Sequence, residues 1–359
     1  MNGDEVISIE HPQDAPSAKT YDKLRDEHRT RKEAYPNKDS GMLLTFRNLP
    51  EGKDAYNPSG VFSASGINYI WARVESREAQ DAVAMLFKEV ELNIFEPVPD
   101  VPPLPLEDPF TTWIGNTLVV GGVEIRKDEH GTVVGYRTRF YKGVGPMSLE
   151  AFSYGPDSMK DIRLASYMRG GKEPSIFVFT RPYIPEGPHM VGRVAVTEIS
   201  SLEELIPERL LPEHTEIIPT LFASEEWGGV NDTYVFENGL IGALAHVSKF
   251  DEKGKRHYAA TAFIIDPVTR MCSPFEMIAE RGDFPMGPVK IMPENLNRPE
   301  MYDDLADVIF SSRLTVSDGT MFTSSKVLLT CGLSDAAAGV LQIENPFPRL
   351  CKKYFPNHT

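Results

Sequence analysis

At 359 residues, 41% hydrophobic and 10% aromatic, the chain can bury a sizeable core, either as one large repetitive domain or as two average ones. A formal net charge of -15 and a pI near 5.1 create a field that repels polyanions, which argues against nucleic acid and anionic membranes as partners. Three cysteines without CxxC spacing (Cys272, Cys331, Cys351) fit a reducing compartment and give no zinc pattern, and no long apolar run or leader-like segment is visible, so a cytoplasmic location is expected.

In chain order, residues 1–41 are polar and charge-dense, with YDKLRDEHRTRKEA as the plausible helix. They predict an N-terminal arm, loosely ordered or partly helical, ahead of a folded body over 42–359. From Met42 onward, short runs of Val, Ile, Phe, Thr and Tyr are punctuated by Gly, Asn, Asp and Pro, the pattern of an all-β protein. Five hairpins align on a polar opening residue: NPSGVFSASGINYIWARVE (opener Asn57), EDPFTTWIGNTLVVGGVE (Asp108), KDIRLASYMRGGKEPSIFVFTRP (Asp161), NDTYVFENGLIGALAHVS (Asp232) and DVIFSSRLTVSDGTMFTSSKVLLTCGLSD (Asp307). Their spacings of 51, 53, 71 and 75 residues suit one four-stranded blade each, so the expected fold is a five-bladed β-propeller.

In an antiparallel hairpin the start of one strand lies beside the end of the next. The expected pairs are Asn57 with Arg73 and Glu75, Asp108 with Glu124, Asp161 with Arg181, Asp232 with His246, and Asp307 with Asp335. If these are the inner strands of five blades, their polar ends gather at one channel mouth, with Lys160, Arg163, Arg181, Arg313 and His246 supplying positive charge. An aspartate ahead of a strand is commonly only a turn former. Five in equivalent positions argue for a shared pocket, and Pro109 restricts the backbone of Asp108. Trp113 and Trp227 are open to two readings, sugar platforms or packing between blades. Convergent carboxylates and amides suit sugar hydroxyls, and a carboxylic acid can protonate a departing glycosidic oxygen. The lysine and arginines near Asp161 favour an anionic nucleophile or leaving group over water.

Taken together, LEDPFTTWIGNTLVVGGVE, MKDIRL with VFTRP, EWGGVNDTYVFENGLIGALAH with RHYAATAFIIDP, and DVIFSSRLTVSDG, spread over about Tyr56 to Pro346, resemble the motifs of the five-bladed dual-activity β-1,2-mannosyltransferase/phosphorylases of kinetoplastid parasites and their bacterial relatives. That family is similar, more distantly, to inverting β-mannoside phosphorylases, whose EDPR segment holds the catalytic aspartate. The resemblance implies reversible, inverting mannosyl transfer: GDP-mannose or mannose 1-phosphate gives β-1,2-linked mannooligosaccharides, and phosphate releases mannose 1-phosphate from them. It implies Asp108 as the acid/base, and phosphate held by Lys160, Arg181, His246 and Tyr258. Asn57, Arg73, Glu107, Glu124, Asp161, Asn231, Asp232, Asp307 and Asp335 would bind the sugar. Phe110 stands where EDPR has arginine, and RPYIPEGPHMVGR is a longer loop than the family leads one to expect. With neither a Gly-rich phosphate loop in a βαβ context nor a DxD motif, no metal or other cofactor is expected. Two alternatives are an inverting β-mannosidase and a non-catalytic sugar-binding propeller; the oligomeric state is not legible.

Overall fold

The computed structural model describes residues 17–34, 41–169, 171, 173–186, 189–316 and 319–358, so most of the expected arm, 1–16 and 35–40, lies outside the described residues. Apart from two α-helices and short 3-10 turns, the regular structure is β. Along the chain the strands fall into five successive groups, mostly antiparallel within each; Thr45–Phe46 adds a parallel strand to the first, and the fourth and fifth are joined into one eight-stranded sheet by the parallel pairing of His257 with Asp307 and Tyr258 with Val308. The first has Ile67–Ser76 and Val83–Glu91 at its centre, flanked by Lys53–Tyr56, Phe62–Ala64 and Ile94–Pro97. The second is a plain meander of Glu107–Ile114, Thr117–Lys127, Val133–Gly143 and Glu150–Tyr154. In the third, Arg163–Arg169, Glu173–Thr180, Ala195–Ile199 and Glu216–Ile217 pair in order, and a separate hairpin, Tyr183–Glu186 with His189–Gly192, is inserted after the second strand. The fourth runs Trp227–Val235, Ile241–Phe250, Arg256–Ile265 and Glu276–Ala279.

The fifth group, Asp307–Thr315, Lys326–Leu333 and Ala337–Glu344, takes its last strand from the other end of the chain: Met42 pairs with Val340 and Leu43 with Gly339. The start of the folded body is thereby tied to its end, which removes a free sheet edge.

Central strands are buried on both faces and therefore read as nearly unbroken apolar runs rather than as alternating ones. Ile70 to Val74 and Ile241 to Val247 are examples. Close packing demands glycine at Gly121, where a Cβ would stand 2.3 Å from the Phe110 ring. The apolar clusters straddle consecutive groups. Trp71 and Leu86 of the first meet Leu118 and Val120 of the second; Phe140 of the second meets Ile162 and Val178 near and in the third; Phe179 of the third meets Phe263 of the fourth. Removing the Phe179 ring, edge-on to Phe177 at 5.1 Å and to Phe263 at 6.2 Å, would cost about 3–5 kcal/mol.

Helix α1 (Tyr21–Ala34) buries Tyr21, Leu24 and His28, spaced by three and four residues so that they share one face. Tyr21 N donates to Glu226 Oε1 at 2.5 Å, Arg29 grips Glu280 through two 2.8 Å bonds, and His28 Nε2 lies 3.0 Å from Asp283 Oδ2. His28, Glu280 and Asp283 are grouped closely enough to hold a metal ion, but Arg29 and Lys32 already pair with the two carboxylates, so the group works as an ion-pair lock for the helix. Helix α2 (Pro346–Tyr354) is capped by the side-chain carbonyl of Asn345, which accepts from Phe347 N, and it packs Phe347, Leu350 and Cys351 against the fourth and fifth groups.

Candidate functional site

The site begins with backbone geometry. Asn57, Asp108, Asp161 and Asp335 adopt left-handed conformations, with φ of 41°, 46°, 60° and 47°. Asn and Asp tolerate this region better than other residues that carry a Cβ. Pro109 does not hold Asp108 extended, as its sequence position suggested; surrounding contacts override that preference, at a cost of order 1–3 kcal/mol. Asp108 is thereby turned out of the ladder, which pairs Glu107 with Val123 and next Phe110 with Gly121. Bulges do the same in the fourth and fifth groups, where Asn231 and Ser312 are the extra residues.

On one side these residues build an acid-rich cluster. Asn57 Nδ2 donates to Asp108 Oδ1 at 2.9 Å and to Asp335 Oδ1 at 3.0 Å. Arg73 lies against Glu75 at 2.8 Å and against Glu107 and Asp108 at 3.3 Å each. Glu75 is fully buried and also receives the Tyr56 hydroxyl and, at 2.8 Å, the Lys290 ammonium. Gly332 makes room for this cluster, since a Cβ there would stand 1.7 Å from Asn57 Oδ1. Burial raises the Glu107 carboxyl despite the opposing pull of Arg73, and burial together with the neighbouring Asp108 raises that of Asp335.

The other side is rich in cations. Asp161 and Arg181 form a buried pair at 2.7 Å. Burial disfavours the Asp161 carboxylate, but Arg181 and Lys160 outweigh it and bring its pKa to about 2. Burial also opposes the Lys160 charge, and Asp161 outweighs it, holding the ammonium above the usual lysine value. Among the described residues the Lys160 ammonium has no hydrogen-bond partner, and the buried Arg181 Nε has none either. Arg163 donates to Asn231 O at 2.7 Å and lies 4.1 Å above the Phe110 ring. Burial lowers its pKa, against the upward pull of the Asp161, Asp232 and Asp108 carboxylates.

His246 completes this side. Asn231 Nδ2 donates to Ser311 O at 2.6 Å, so its Oδ1 is the acceptor for His246 Nδ1–H at 2.8 Å, and Nε2 carries the lone pair. Burial, reinforced by the nearby Arg181, Lys160 and Arg163, lowers the imidazole pKa to about 3 and keeps it neutral. Tyr258 stacks on the ring, 5.6 Å between centroids and 7° from parallel. Trp227, which packs at 4.6 Å on Phe250, donates to the Tyr258 hydroxyl at 3.3 Å, so it buttresses this wall from behind.

The structure thus brings together Asn57, Arg73, Glu107, Asp108 and Asp335 on one side, and Lys160, Asp161, Arg181, Asn231, His246 and Tyr258 on the other, joined through Arg163. Asp232 joins through its 2.9 Å pair with Arg313, whose NH2 reaches Thr111 O. Two expected members lie apart. Glu124 pairs with Arg137 on the neighbouring strand at 2.7 Å rather than with Asp108, whose polar partners come from the preceding group instead. Asp307 bonds His257 at 2.5 Å, not Asp335, because its strand begins several residues, roughly 13 Å, before the bulge that matches the other openers. Sequence reasoning missed Tyr56 and Lys290. Lys290 carries no local signal, since it enters from an irregular segment far along the chain. A cavity of about 700 Å³ opens at the other end of the Glu107–Ile114 strand, roughly 20 Å from Asp108; it is lined by Ile114, Lys142, Ser166, Ser175 and Glu203 and includes none of these clustered groups.

The family described as "Protein of unknown function (DUF1861)" matches residues 30–349. The mannose phosphorylase MPT-4 from Leishmania mexicana, solved in complex with phosphate ion, is similar at a TM-score of 0.76 and 29% identity, covering 91% of this chain and 94% of its own. MPT-1, a GDP-Man-dependent mannosyltransferase from Leishmania mexicana, gives 0.73 and 29%, with 89% and 94% covered. A β-1,2-mannobiose phosphorylase from Listeria innocua, with 87% and 96% covered, shares the fold at 0.57 but only 12% of the sequence. The comparison with curated proteins yields no match.

Proposed function

This chain belongs to the DUF1861 family, and from that premise we propose that it is an inverting mannosyltransferase/phosphorylase acting on β-1,2-linked mannooligosaccharides. In this reading the five strand groups are the blades of a propeller and the clustered residues line one mouth of its channel. The donor is an α-mannosyl phosphate, either mannose 1-phosphate or GDP-mannose, and the reverse reaction uses inorganic phosphate. The observation that carries the reading is the pairing of unsatisfied cationic donors, the Lys160 ammonium and Arg181 Nε, with a cluster that turns the Asp108 carboxyl out of its ladder.

In phosphorolysis a phosphate oxygen attacks the anomeric carbon from the face opposite the glycosidic bond. Asp108, directly or through a mannose hydroxyl, delivers its proton to the departing oxygen, that bond breaks with its electron pair, and mannose 1-phosphate leaves with inverted configuration. In synthesis Asp108 takes the proton back from the acceptor hydroxyl. Lys160 and Arg181 hold the anion, since charge-assisted hydrogen bonds are the strong ones. His246, neutral with its lone pair on Nε2, can accept from a protonated phosphate oxygen. Asn57, Glu107, Asp161, Asn231, Asp232 and Asp335 bind sugar hydroxyls. Where the related phosphorylases have an arginine after their catalytic Asp-Pro, Phe110 offers its ring to Arg163, which supplies a guanidinium from the next group.

The test is incubation with β-1,2-mannobiose with and without inorganic phosphate. Release of mannose 1-phosphate that depends on phosphate is expected. Free mannose formed without phosphate would make the protein a hydrolase, and sugar binding without turnover would make it a binding module.

A further inference from the structure

His246 presents an acceptor where a site for a bare anion would present donors. Its Nδ1–H is committed to Asn231 Oδ1 at 2.8 Å, and the Asn231 amide is held in that orientation because its Nδ2 donates to Ser311 O at 2.6 Å. The ring is fixed between Tyr258, stacked on it at 5.6 Å, and Phe310 at 5.5 Å. Nε2, on the free edge, makes no hydrogen bond among the described residues and is not sealed from solvent. The strand register sets this edge beside the cationic side of the site. His246 is the cross-strand partner of Gly229, and a Cβ on Gly229 would stand 2.8 Å from Asp161 Oδ2 and 3.1 Å from Arg181 Cδ. Cross-strand partners point to the same face with their Cβ positions about 5 Å apart, so the imidazole shares a face with the Asp161–Arg181 pair. The charged and titratable groups around it are Asp161, Arg181, Lys160 and Arg163, with Tyr258 on the ring. Burial first, and then three cations against one carboxylate, oppose its protonation.

We propose that His246 makes this a site for a phosphoryl group that still carries a proton, and that it turns away tetrahedral anions that carry none, sulfate above all. The inference rests on the proposed phosphate site and states which ionic form that site takes. An unprotonated anion sets its own lone pairs against the Nε2 lone pair, whereas a P–OH group donates to it. A site built around a hydrogen bond to a ligand hydroxyl rejects an isostere that lacks it, because the buried partner is left unpaired. Inorganic phosphate keeps a proton as monoanion and as dianion, sulfate has none at neutral pH, and a phosphate monoester keeps one only below its second pKa of about 6. In phosphorolysis an unprotonated oxygen of the phosphate attacks the anomeric carbon while the P–OH stays on Nε2. Mannose 1-phosphate is therefore formed as the monoanion and sheds its proton after release.

The experiment measures binding of inorganic phosphate, arsenate and sulfate by calorimetry near neutral pH, and of mannose 1-phosphate across its second ionisation, in the wild-type protein, His246→Gln and Asn231→Asp. Expected in the wild type is a preference of about 10²-fold for phosphate over sulfate, with arsenate, which is tetrahedral like sulfate but keeps a proton, bound like phosphate. Affinity for mannose 1-phosphate should fall about tenfold per pH unit above about 6. His246→Gln introduces an amide that donates as well as accepts, and Asn231→Asp gives the imidazole a carboxylate partner that favours its protonated, donating form. Each should narrow the phosphate-to-sulfate ratio at least tenfold, a change that misfolding cannot mimic. The wild-type ratio decides even where a variant fails to fold: sulfate bound as tightly as phosphate overturns the proposal while leaving mannosyl transfer standing. So do a ratio that both variants leave unchanged, a mannose 1-phosphate affinity that stays level with pH, and a wild-type protein that binds neither phosphate nor arsenate. Selectivity that persists without turnover of any mannoside keeps the proposal and removes the mannosyl reading.

Discussion

The two sides of the clustered site treat buried charge in opposite ways. Around Asp108, four carboxyl groups (Glu75, Glu107, Asp108, Asp335) share two cations, Arg73 and Lys290, and Asn57 Oδ1 and Glu75 Oε1 are buried without a hydrogen bond among the described residues. Around Asp161, one carboxylate faces Lys160, Arg181 and Arg163, and the Lys160 ammonium is left without a hydrogen bond among the described residues. A cluster with excess acid can hold and move a proton. An open cluster with excess cation is incomplete until an anion enters, because buried unpaired charge is costly. Under the proposed function, proton transfer and anion binding would thereby fall to neighbouring strand groups.

Four changes test this division, the largest expected effect first. Asp108→Asn keeps a residue that tolerates φ of 46° but removes the transferable proton, so phosphorolysis and synthesis should both fall by about 10²–10⁴-fold with the melting temperature nearly unchanged. Initial rates in both directions decide it, and a variant that keeps near-normal turnover removes Asp108 from the chemistry. Lys290→Met leaves Glu75 buried with one cation fewer, and the loss, about 3–5 kcal/mol, is read by chemical denaturation. A loss below about 1 kcal/mol would show that the acid side is not held together by this pair.

Lys160→Ala should raise the KM for phosphate by roughly 10- to 100-fold, in line with one charge-assisted hydrogen bond, while binding of a mannoside inhibitor changes by only a few-fold. Lys160 is a cleaner probe than Arg181, whose removal strands Asp161 in the interior. An equal loss of sugar and phosphate affinity would erase the distinction between the sides. The last effect is on pH dependence. With its pKa lowered from 6.5 to about 3 by burial, His246 binds a proton in the unfolded chain before it does in the folded one. Its contribution is fully present above pH 6.5 and is lost as pH falls toward 3, with a slope approaching about 1.4 kcal/mol per pH unit within that window. Denaturation curves of His246→Asn should be flatter over that range, and an unchanged slope would mean the imidazole is not buried neutral.

Much of this is legible in the chain itself. Alternation of β-branched and turn residues marks an all-β protein, and the Asx residues at Asn57, Asp108 and Asp161 stand out because local sequence sets both the strand start and the residue type that tolerates a left-handed turn. The pairing of Asp161 with Arg181 is also readable, since a short hairpin fixes its own register. What the sequence could not specify is everything that depends on one group meeting the next. Asp108 meets Asn57 and Arg73 instead of Glu124, Asp307 drifts to His257, and Lys290 closes on Glu75. Hairpin contacts follow from spacing along the chain, whereas contacts between groups are set by how twisted sheets pack side by side, and that packing is decided by the whole core at once.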